Sequence, residues 1–343
     1  MTNKVDISLV FYGKPYNTMV TIESLMRVSG QWIDKIYLTH EKKQPHGDWD
    51  GIFKIIDIFK NKKINGHTVN LVIFKPKYFM SVGFKDLAST LKNKDLRQSI
   101  MFQYPLETSD KKYLCTVHND MLFHKDMIPD MIKKMESNPT KVAGVGSVGQ
   151  CWSCPAGPNW GNVCQSNNYF NYVPTQKEAI DLHQKHHTPR KDLDIKIIES
   201  GRVHPLPECR LNEYFAMIDT EKYRKNTIPN GNIPCYGANW EGADLATSWT
   251  YEMHHLGYIF KHITLEDYVQ HAPFDLTKSG TEATFNSNKY LVSENNAKKY
   301  FEENYYTLNY SNQFYINKSI DTLKRTTKGF LIKIINTFLA LKS

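Results

Sequence analysis

The stretch KKYLCTV, residues 111–117, runs without a break into His118-Asn119-Asp120 and then into MLFHKDM. A buried strand that ends on three polar residues in a row is either an ordinary solvated strand end or a place where chemistry is kept. Open α/β sheets bind their ligands outside the carboxyl ends of the strands, where the strand order reverses. A carboxylate in that position is a natural ligand for Mg2+ or Mn2+, hard ions that take one or two carboxylates together with the phosphate oxygens of a substrate. Such an ion neutralises the charge that builds on a departing diphosphate. Asp120 is therefore the candidate metal ligand. The competing role for it is to cap the helix that follows.

Two further strand ends carry candidates of the same kind. Tyr12-Gly13-Lys14 follows the first apolar run, and Thr39-His40-Glu41 follows the second. A glycine there lets the backbone approach a ligand, and a carboxylate there accepts hydrogen bonds from a base or a ribose. The first strand is followed by no GxGxxG, which argues against a dinucleotide site, and the chain has no GxxxxGK[ST], which excludes a P-loop.

The elements that must position these residues are legible as an alternation. Residues 5–13, 33–41, 68–76, 111–120 and 141–149 read as strands. Residues 16–30 place Met19, Ile22, Leu25 and Met26 near helical spacing, and Gly30 stops them. Residues 95–106 and 129–137 read as further helices. Strand and helix in this order mean parallel βαβ units in an open sheet covered on both faces. Residues 150–240 lose the rhythm and are rich in Pro, Gly, Asn and Cys, and residues 244–265 regain it as a helix running into a strand. The expected division is 1–149, 150–290 and, as a helical tail, 291–343.

Composition bounds the class. The 343 residues are 41% hydrophobic and 23% charged, an ordinary globular balance. The net charge of +8 is concentrated. Residues 318–343 hold six Lys or Arg against Asp321 alone, a net +5, which leaves +3 for the rest. That distribution argues against a nucleic-acid-coating body. In the same tail Ile320, Leu323, Phe330, Leu331, Ile334, Ile335, Phe338 and Leu341 fall near one helical face opposite the basic residues. This is the pattern of an interfacial helix on anionic lipid, expected over 320–341. No apolar leader opens the chain, and no stretch reaches the roughly 18 apolar residues that span a bilayer. The expectation is a cytoplasmic protein, peripheral on the inner face of a membrane.

In a cytoplasmic chain cysteines read as thiols or metal ligands before disulfides. Cys151 and Cys154 form a CxxC, Cys164 follows, and Cys209 completes four. The set is expected to hold a structural Zn2+, which orders irregular chain that a small core cannot. Cys115, inside a strand, reads as core, and Cys235 is a substitute for Cys209. His183, His186 and His187 read as a solvated face or an acceptor-binding loop.

Several pieces in order resemble the glycosyltransferases of the A-type fold, in particular the family-2-like inverting enzymes. ISLVFYGKPYNTMVTIESLMRVSGQWIDKIYLTHE resembles the opening strand–helix–strand. LRQSIMFQYPLETSDKKYLCTVHNDMLFHKDMI resembles the run into the metal-binding Asp-x-Asp strand. NWEGADLATSWTYEMHHLGYIFKHI resembles the acceptor-side acidic segment and helix, and YVQHAP resembles a late histidine that serves as a further metal ligand. Together they cover residues 5–275. The resemblance implies a Rossmann-like nucleotide-binding sheet with an irregular Cys-containing insertion and a C-terminal amphipathic helix. It implies Mn2+ or Mg2+ on Asp120 and His271. It places Tyr12 and Glu41 on nucleobase and ribose, Arg97 near base or phosphates, and His118 and Asn119 on ribose or diphosphate. His118 stands where the family has its first Asp, the point at which this chain departs. The donor implied is a nucleotide-sugar, UDP-sugars favoured, and the acceptor a glycan or lipid-linked glycan of polysaccharide biosynthesis. Inversion requires a base for the acceptor hydroxyl. Asp244 and Glu241 are the two candidates, Asp244 preferred as the helix-start residue and also the expected N-cap. The competing functions are a zinc-stabilised non-catalytic binding protein on a degenerate transferase fold, and a nucleotidyltransferase.

Overall fold

The structure is a computed structural model, and it describes residues 4–79, 87–149, 154, 169–186, 188–238, 243–276 and 284–340. Cys151, Cys164, His187 and Glu241 lie outside the described residues.

Chain order begins with β1 (Val5–Phe11), α1 (Pro15–Ser29), β2 (Ile33–His40), α2 (Gly51–Phe59) and β3 (Leu71–Phe74). Three short helices follow, α3 (Leu87–Lys92), α4 (Lys94–Gln98) and α5 (Gln103–Thr108). Then come β4 (Tyr113–Val117), β5 (Met121–Phe123), α6 (Ile128–Glu136) and β6 (Val142–Val148). Beyond the undescribed stretch lie α7 (Gln176–Lys185), α8 (Lys191–Glu199), β7 (Leu211–Asp219), α9 (Thr220–Asn226), α10 (Thr247–His255), β8 (Ile259–His262) and β9 (Val269–His271). The chain closes with α11 (Ser287–Asn304) and α12 (Asn312–Ala340).

Seven strands form one sheet in the order β8-β6-β7-β4-β1-β2-β3. All are parallel to their neighbours except β7, which runs antiparallel to both β4 and β6. The alternation of side chains along each strand sorts them into two cores, one on each face. Ile7, Leu9, Phe11, Cys115, Val117, Phe215 and Met217 go to the larger core, and Val10, Leu114, Ala216 and Ile218 go to the smaller. Each large apolar side chain fully buried this way contributes about 1.5–3 kcal/mol. The α/β sheet expected from the sequence is therefore present. Its strands β7 and β8 come from the 150–290 stretch and complete the same sheet as β1 to β4 and β6.

The order of strands is what makes a site. The chain moves outward from β1 to β2 and β3, then returns to lay β4 on the other side of β1. The carboxyl ends of β1 and β4 thus lie side by side, with Leu9 opposite Val117. Because β7 is antiparallel, its beginning arrives at the same end, with Phe215 opposite Val117 and His118 donating its backbone N–H to Tyr214 O. A small antiparallel pair, β5 with β9, sets His271 opposite Met121 and so beside Asp120.

Three local expectations are corrected. Residues 95–106 are not one helix: α4 ends at Gln98, and Phe102 takes a left-handed conformation (φ 64) before α5. The break buries Phe102 in the smaller core against Tyr236, so tertiary packing overrides helical spacing. Residues 176–226 hold three helices and the longest strand of the sheet. Asp244 is not the cap of α10. The helix starts at Thr247 behind Ala246 (φ 66), and the Asp244 side chain accepts only from Leu245 N–H at 2.9 Å among backbone groups.

The β1–α1 turn is tight. Gly13 has φ +66, its N–H donates to Gln44 Oε1 at 2.6 Å, and its carbonyl accepts from Asn119 Nδ2 at 2.9 Å. A Cβ on Gly13 would sit 2.4 Å from Pro45 Cγ. The glycine serves packing against Pro45 rather than close approach of a ligand, which was its expected role. Gly13→Ala is expected to cost about 1–3 kcal/mol, from left-handed strain and from that clash. Chemical denaturation checks it, and a loss below about 0.5 kcal/mol would mean the turn relaxes around the added carbon.

Candidate metal centre at the strand-order reversal

Asp120 is 6% exposed, and its two oxygens face different partners. Oδ2 accepts from Lys14 Nζ at 2.7 Å, and Oδ1 lies 3.5 Å from His271 Nε2. Oδ1 has no hydrogen-bond partner despite being buried. His118, Asp120 and His271 each offer one ligand atom, and those atoms lie within 4.8 Å of one another. The rings of His118 and His271 are 5.5 Å apart, and Tyr214 stacks on His271 at 5.2 Å. The cluster thus joins the two residues expected to flank the metal, Asp120 and His271, with His118 from the departed Asp-x-Asp position.

Electrostatics sets the protonation of each member. Burial alone would raise the Asp120 carboxyl, but Lys14 and His271 hold it well below the usual carboxylate range. Burial, followed by the neighbouring His271, pushes His118 down to about 4. Burial would lower His271 too, yet its contact with Asp120 raises it on balance. The result favours an ionised carboxylate and a neutral imidazole on His118, and makes His271 hold an extra proton more tightly than an ordinary histidine, a proton that cation binding has to displace.

Lys14 was quoted in the sequence beside Tyr12 and Gly13 but given no role. The signal was there: it is the first residue past a glycine at the end of strand one. Asn119 was expected to touch nucleotide. Its amide nitrogen instead ties the turn, donating to Gly13 O at 2.9 Å and to Thr18 Oγ1 at 3.3 Å.

Tyr12 and Glu41 stand at the neighbouring strand ends. Tyr12 stacks on Phe79 at 5.4 Å. Burial and then the charge of Glu41 raise the Tyr12 hydroxyl. Gln44 staples the two ends together, its Nε2 donating to Glu41 O at 2.8 Å and to Phe11 O at 3.3 Å. Glu41 is 4% exposed, and its Oε2 has no hydrogen-bond partner. Arg97 is elsewhere. Its guanidinium donates to Glu107 Oε1 at 2.6 Å and to Leu91 O at 3.0 Å, which ties α4 to α5 and not to the Asp120 cluster.

A second charged cluster is close enough for its charge to act on the first. Asp244 Oδ2 is 2.6 Å from both Arg210 Nη2 and Arg190 Nη1. Arg210 also reaches Glu208 Oε2 at 2.7 Å. Burial would raise Asp244, but Arg210 and Arg190 bring it down. Glu213, at the start of β7, is buried with Oε2 unpaired, and burial followed by the charge of Asp244 pushes it up. The charge of Asp244 reaches His118, and that of Glu213 reaches His271, so the two clusters share one electrostatic environment. Arg190, Arg210 and Glu213 were not singled out in the sequence, because nothing in their local spacing marks them.

The remaining candidates fall away from this centre. Cys154 and Cys209 are buried thiols within the smaller core. Cys235 packs in a third, separate cluster with Leu91 and Ile100 and so does not stand in for Cys209. Cys115 is core, as expected. His183 is not solvated: it is 1% exposed, with Nδ1 at 2.7 Å from Ala179 O and Nε2 at 3.7 Å from Asp194.

Burial pushes Glu41 up to about 8 from an ordinary value of 4.5. The folded chain therefore holds a proton that the unfolded chain releases. The stability this group contributes is full below 4.5 and declines as pH rises through about 8. Glu41→Gln is neutral throughout, so its melting temperature should pull ahead of wild type as pH rises from about 5 to 8.5. A gap that stays constant over that range contradicts the buried, protonated carboxyl.

No protein-family model matches the chain, and no curated protein matches it in sequence. Solved structures do align with it at low identity. One is a mannosyltransferase from Pyrobaculum calidifontis in complex with GDP-Man and Mn2+, 10% identical over 76% of this chain, with a TM-score of 0.42. This chain spans about half of that protein's length, 54%. A second is core-mannan synthase A from Aspergillus fumigatus in a Mn/GDP form, 13% identical over 88% of this chain and 85% of that one, with a TM-score of 0.38. A third is S. aureus TarS, residues 1–349, 11% identical over 88% of this chain and 73% of that one, with a TM-score of 0.40.

Proposed function

We propose that the chain transfers a sugar from a nucleotide-diphosphate-sugar to a hydroxyl acceptor, with a divalent ion at Asp120. The observation that carries this reading is the buried, half-unsatisfied Asp120 between two imidazoles at the reversal of strand order, where such sheets bind nucleotides. The donor set fits the ion: one ionised carboxylate and two imidazoles suit Mn2+ better than Mg2+, which prefers oxygen ligands. When bound, the ion neutralises the charge that develops on the diphosphate. Around it, Tyr12 offers a ring for the base, and Glu41 offers an unpartnered oxygen for a ribose hydroxyl.

The nucleotidyltransferase alternative fits less well. A triphosphate loop needs free backbone N–H groups at the start of α1. Tyr16 N–H and Asn17 N–H both donate to the Glu294 carboxylate, at 3.0 and 3.2 Å.

For transfer with inversion we keep Asp244 as the carboxylate that takes the acceptor's proton. Its clamp by Arg190 and Arg210 holds it ionised and oriented but weakens it as a base. Glu213, higher and unpaired, is the second carboxylate within reach of the same environment. A panel of UDP- and GDP-sugars tested with Mn2+ for donor hydrolysis and transfer decides the class. Asp120→Asn should abolish turnover with any active donor. Asp244→Asn should lower transfer by about 10²–10⁴-fold while leaving nucleoside diphosphate binding intact. If Glu213→Gln alone shows that pattern, the base is Glu213. An Asp120→Asn enzyme as active as wild type would remove the metal site from the reaction.

We infer further that α12 rests on an anionic lipid surface, which favours a lipid-linked acceptor. Its first half is anchored on the domain, with Lys318 2.8 Å from Asp50 and Arg325 4.0 Å over Trp49. Beyond that, Leu323, Phe330, Leu331 and Ile335 are more than half exposed beside a row of lysines. Among the described residues no helix is long and apolar enough to cross a membrane. Sedimentation with phosphatidylglycerol vesicles but not phosphatidylcholine vesicles is expected, and Phe330→Ser with Leu331→Ser should abolish it. Loss of self-association, with no change in sedimentation, would assign the face to a second copy instead.

A further inference from the structure

Lys14 is built into the centre more firmly than a surface lysine. It is 4% exposed and takes a left-handed conformation (φ 55). Its backbone N–H donates to Tyr290 Oη at 2.8 Å, and its carbonyl accepts from Thr18 N–H at 2.9 Å and Thr18 Oγ1 at 2.8 Å. The ammonium is thereby aimed at Asp120 Oδ2, 2.7 Å away, while His271 lies by the other oxygen.

The charge count of the cluster then matters. With both imidazoles neutral, as metal ligands must be, His118, His271, Asp120 and Lys14 sum to zero. A divalent cation entering at Oδ1 gains the attraction of the carboxylate, weakened by the repulsion of the ammonium held on its other oxygen. A nucleoside diphosphate reverses the balance, because its phosphates bring negative charge for both cations. The other source of positive potential at this turn, the N-terminus of α1, is already committed: its N–H groups at Tyr16 and Asn17 donate to Glu294.

We propose that Lys14 is the protein's own diphosphate-binding cation and that it makes metal binding conditional on the nucleotide. Lys14 holds Asp120 through one oxygen, leaves the other for the metal, and presents its ammonium to the phosphates of a nucleoside diphosphate. The inference rests on the metal and nucleotide site proposed above and goes beyond it in naming the residue that couples the two ligands. By linkage the coupling is reciprocal: the nucleotide tightens the metal by the same factor as the metal tightens the nucleotide.

Binding of Mn2+ measured by calorimetry and by the paramagnetic signal of free Mn2+, with no sugar donor present, tests this without reference to activity. Wild type should bind Mn2+ weakly alone and at least about ten-fold more tightly with GDP or UDP. Lys14→Met should bind Mn2+ alone about ten-fold more tightly than wild type, and the nucleotide should then tighten it by a clearly smaller factor than in wild type. Lys14→Arg keeps the charge and should keep the coupling. Wild type that binds Mn2+ equally well with and without nucleotide overturns the proposal whether or not Lys14→Met folds. So does a folded Lys14→Met with unchanged coupling. Asp120→Asn separates the two levels. If Mn2+ binding is lost in Asp120→Asn but Lys14 has no effect, only the Lys14 proposal fails. If Asp120→Asn binds Mn2+ like wild type, the site beneath it fails as well.

Discussion

A carboxylate buried at the end of a strand must be compensated, and the structure around Asp120 is arranged to do so. Leaving such a charge unpaired costs several kcal/mol, about 3–5 when one partner of a buried pair is removed. Lys14 supplies the partner at 2.7 Å. Lys14 can reach only because the turn behind it is held in a left-handed shape by Gln44, Asn119, Thr18 and the Tyr290 hydroxyl. Tyr290 comes from α11, far along the chain, and Glu294 on the same helix caps α1. Helix α11 is therefore part of the site's foundation, because it fixes the turn that aims Lys14 at Asp120.

The same end of the sheet collects three further pieces for topological reasons. Parallel β1 and β4 deliver Lys14 and Asp120 side by side because the strand order reverses between them. Antiparallel β7 delivers Glu213 and Tyr214 from the opposite direction, since its beginning lies where its neighbours end. The β5–β9 pair delivers His271, and Ala272 N–H donates back to Asp120 O at 2.7 Å. Tyr214, stacked on His271, helps to set the angle of the imidazole that faces Asp120. No single element carries the centre, so its geometry is as rigid as the sheet that assembles it.

This division explains what the sequence could disclose. Asp120 was legible because a strand of apolar residues ends on it, and His271 because a resemblance pointed to its segment. The parallel half of the sheet was legible from alternating strands and helices. Strand β7 was not, because it lies within a Pro- and Gly-rich stretch whose composition hid nine regular residues. With β7 went Glu213 and Tyr214. Arg210 and Arg190 were invisible for a different reason: their role depends on meeting Asp244 and Glu208 in space, and no spacing along the chain records that. Arg97 and His183 err in the other direction. Arg97 was expected near base or phosphates and His183 on a solvated face or an acceptor-binding loop, yet each is spent on a local partner, Glu107 in one case and Ala179 O in the other.

The two clusters differ in how they treat their carboxylates, and the difference bears on which chemistry each can do. Asp120 keeps one oxygen free of hydrogen bonds, so a cation added there displaces only the facing His271 proton. Asp244 has Oδ2 between two guanidinium groups and Oδ1 on a backbone N–H. To accept a proton from an acceptor hydroxyl, Asp244 must loosen at least one Arg contact, and each such charged hydrogen bond is worth about 1.5–3 kcal/mol. Glu213 faces no such requirement, since Oε2 is unpaired and its raised pKa lies nearer the range where a base is effective. Arg190 is the part of the clamp that can yield. It is 31% exposed, whereas Arg210 is almost fully buried, so an acceptor that draws Arg190 away would release Asp244 from half of its restraint. If Asp244 is the base, as proposed, the acceptor itself would then raise the basicity of that carboxylate, while the centre at Asp120 stays intact.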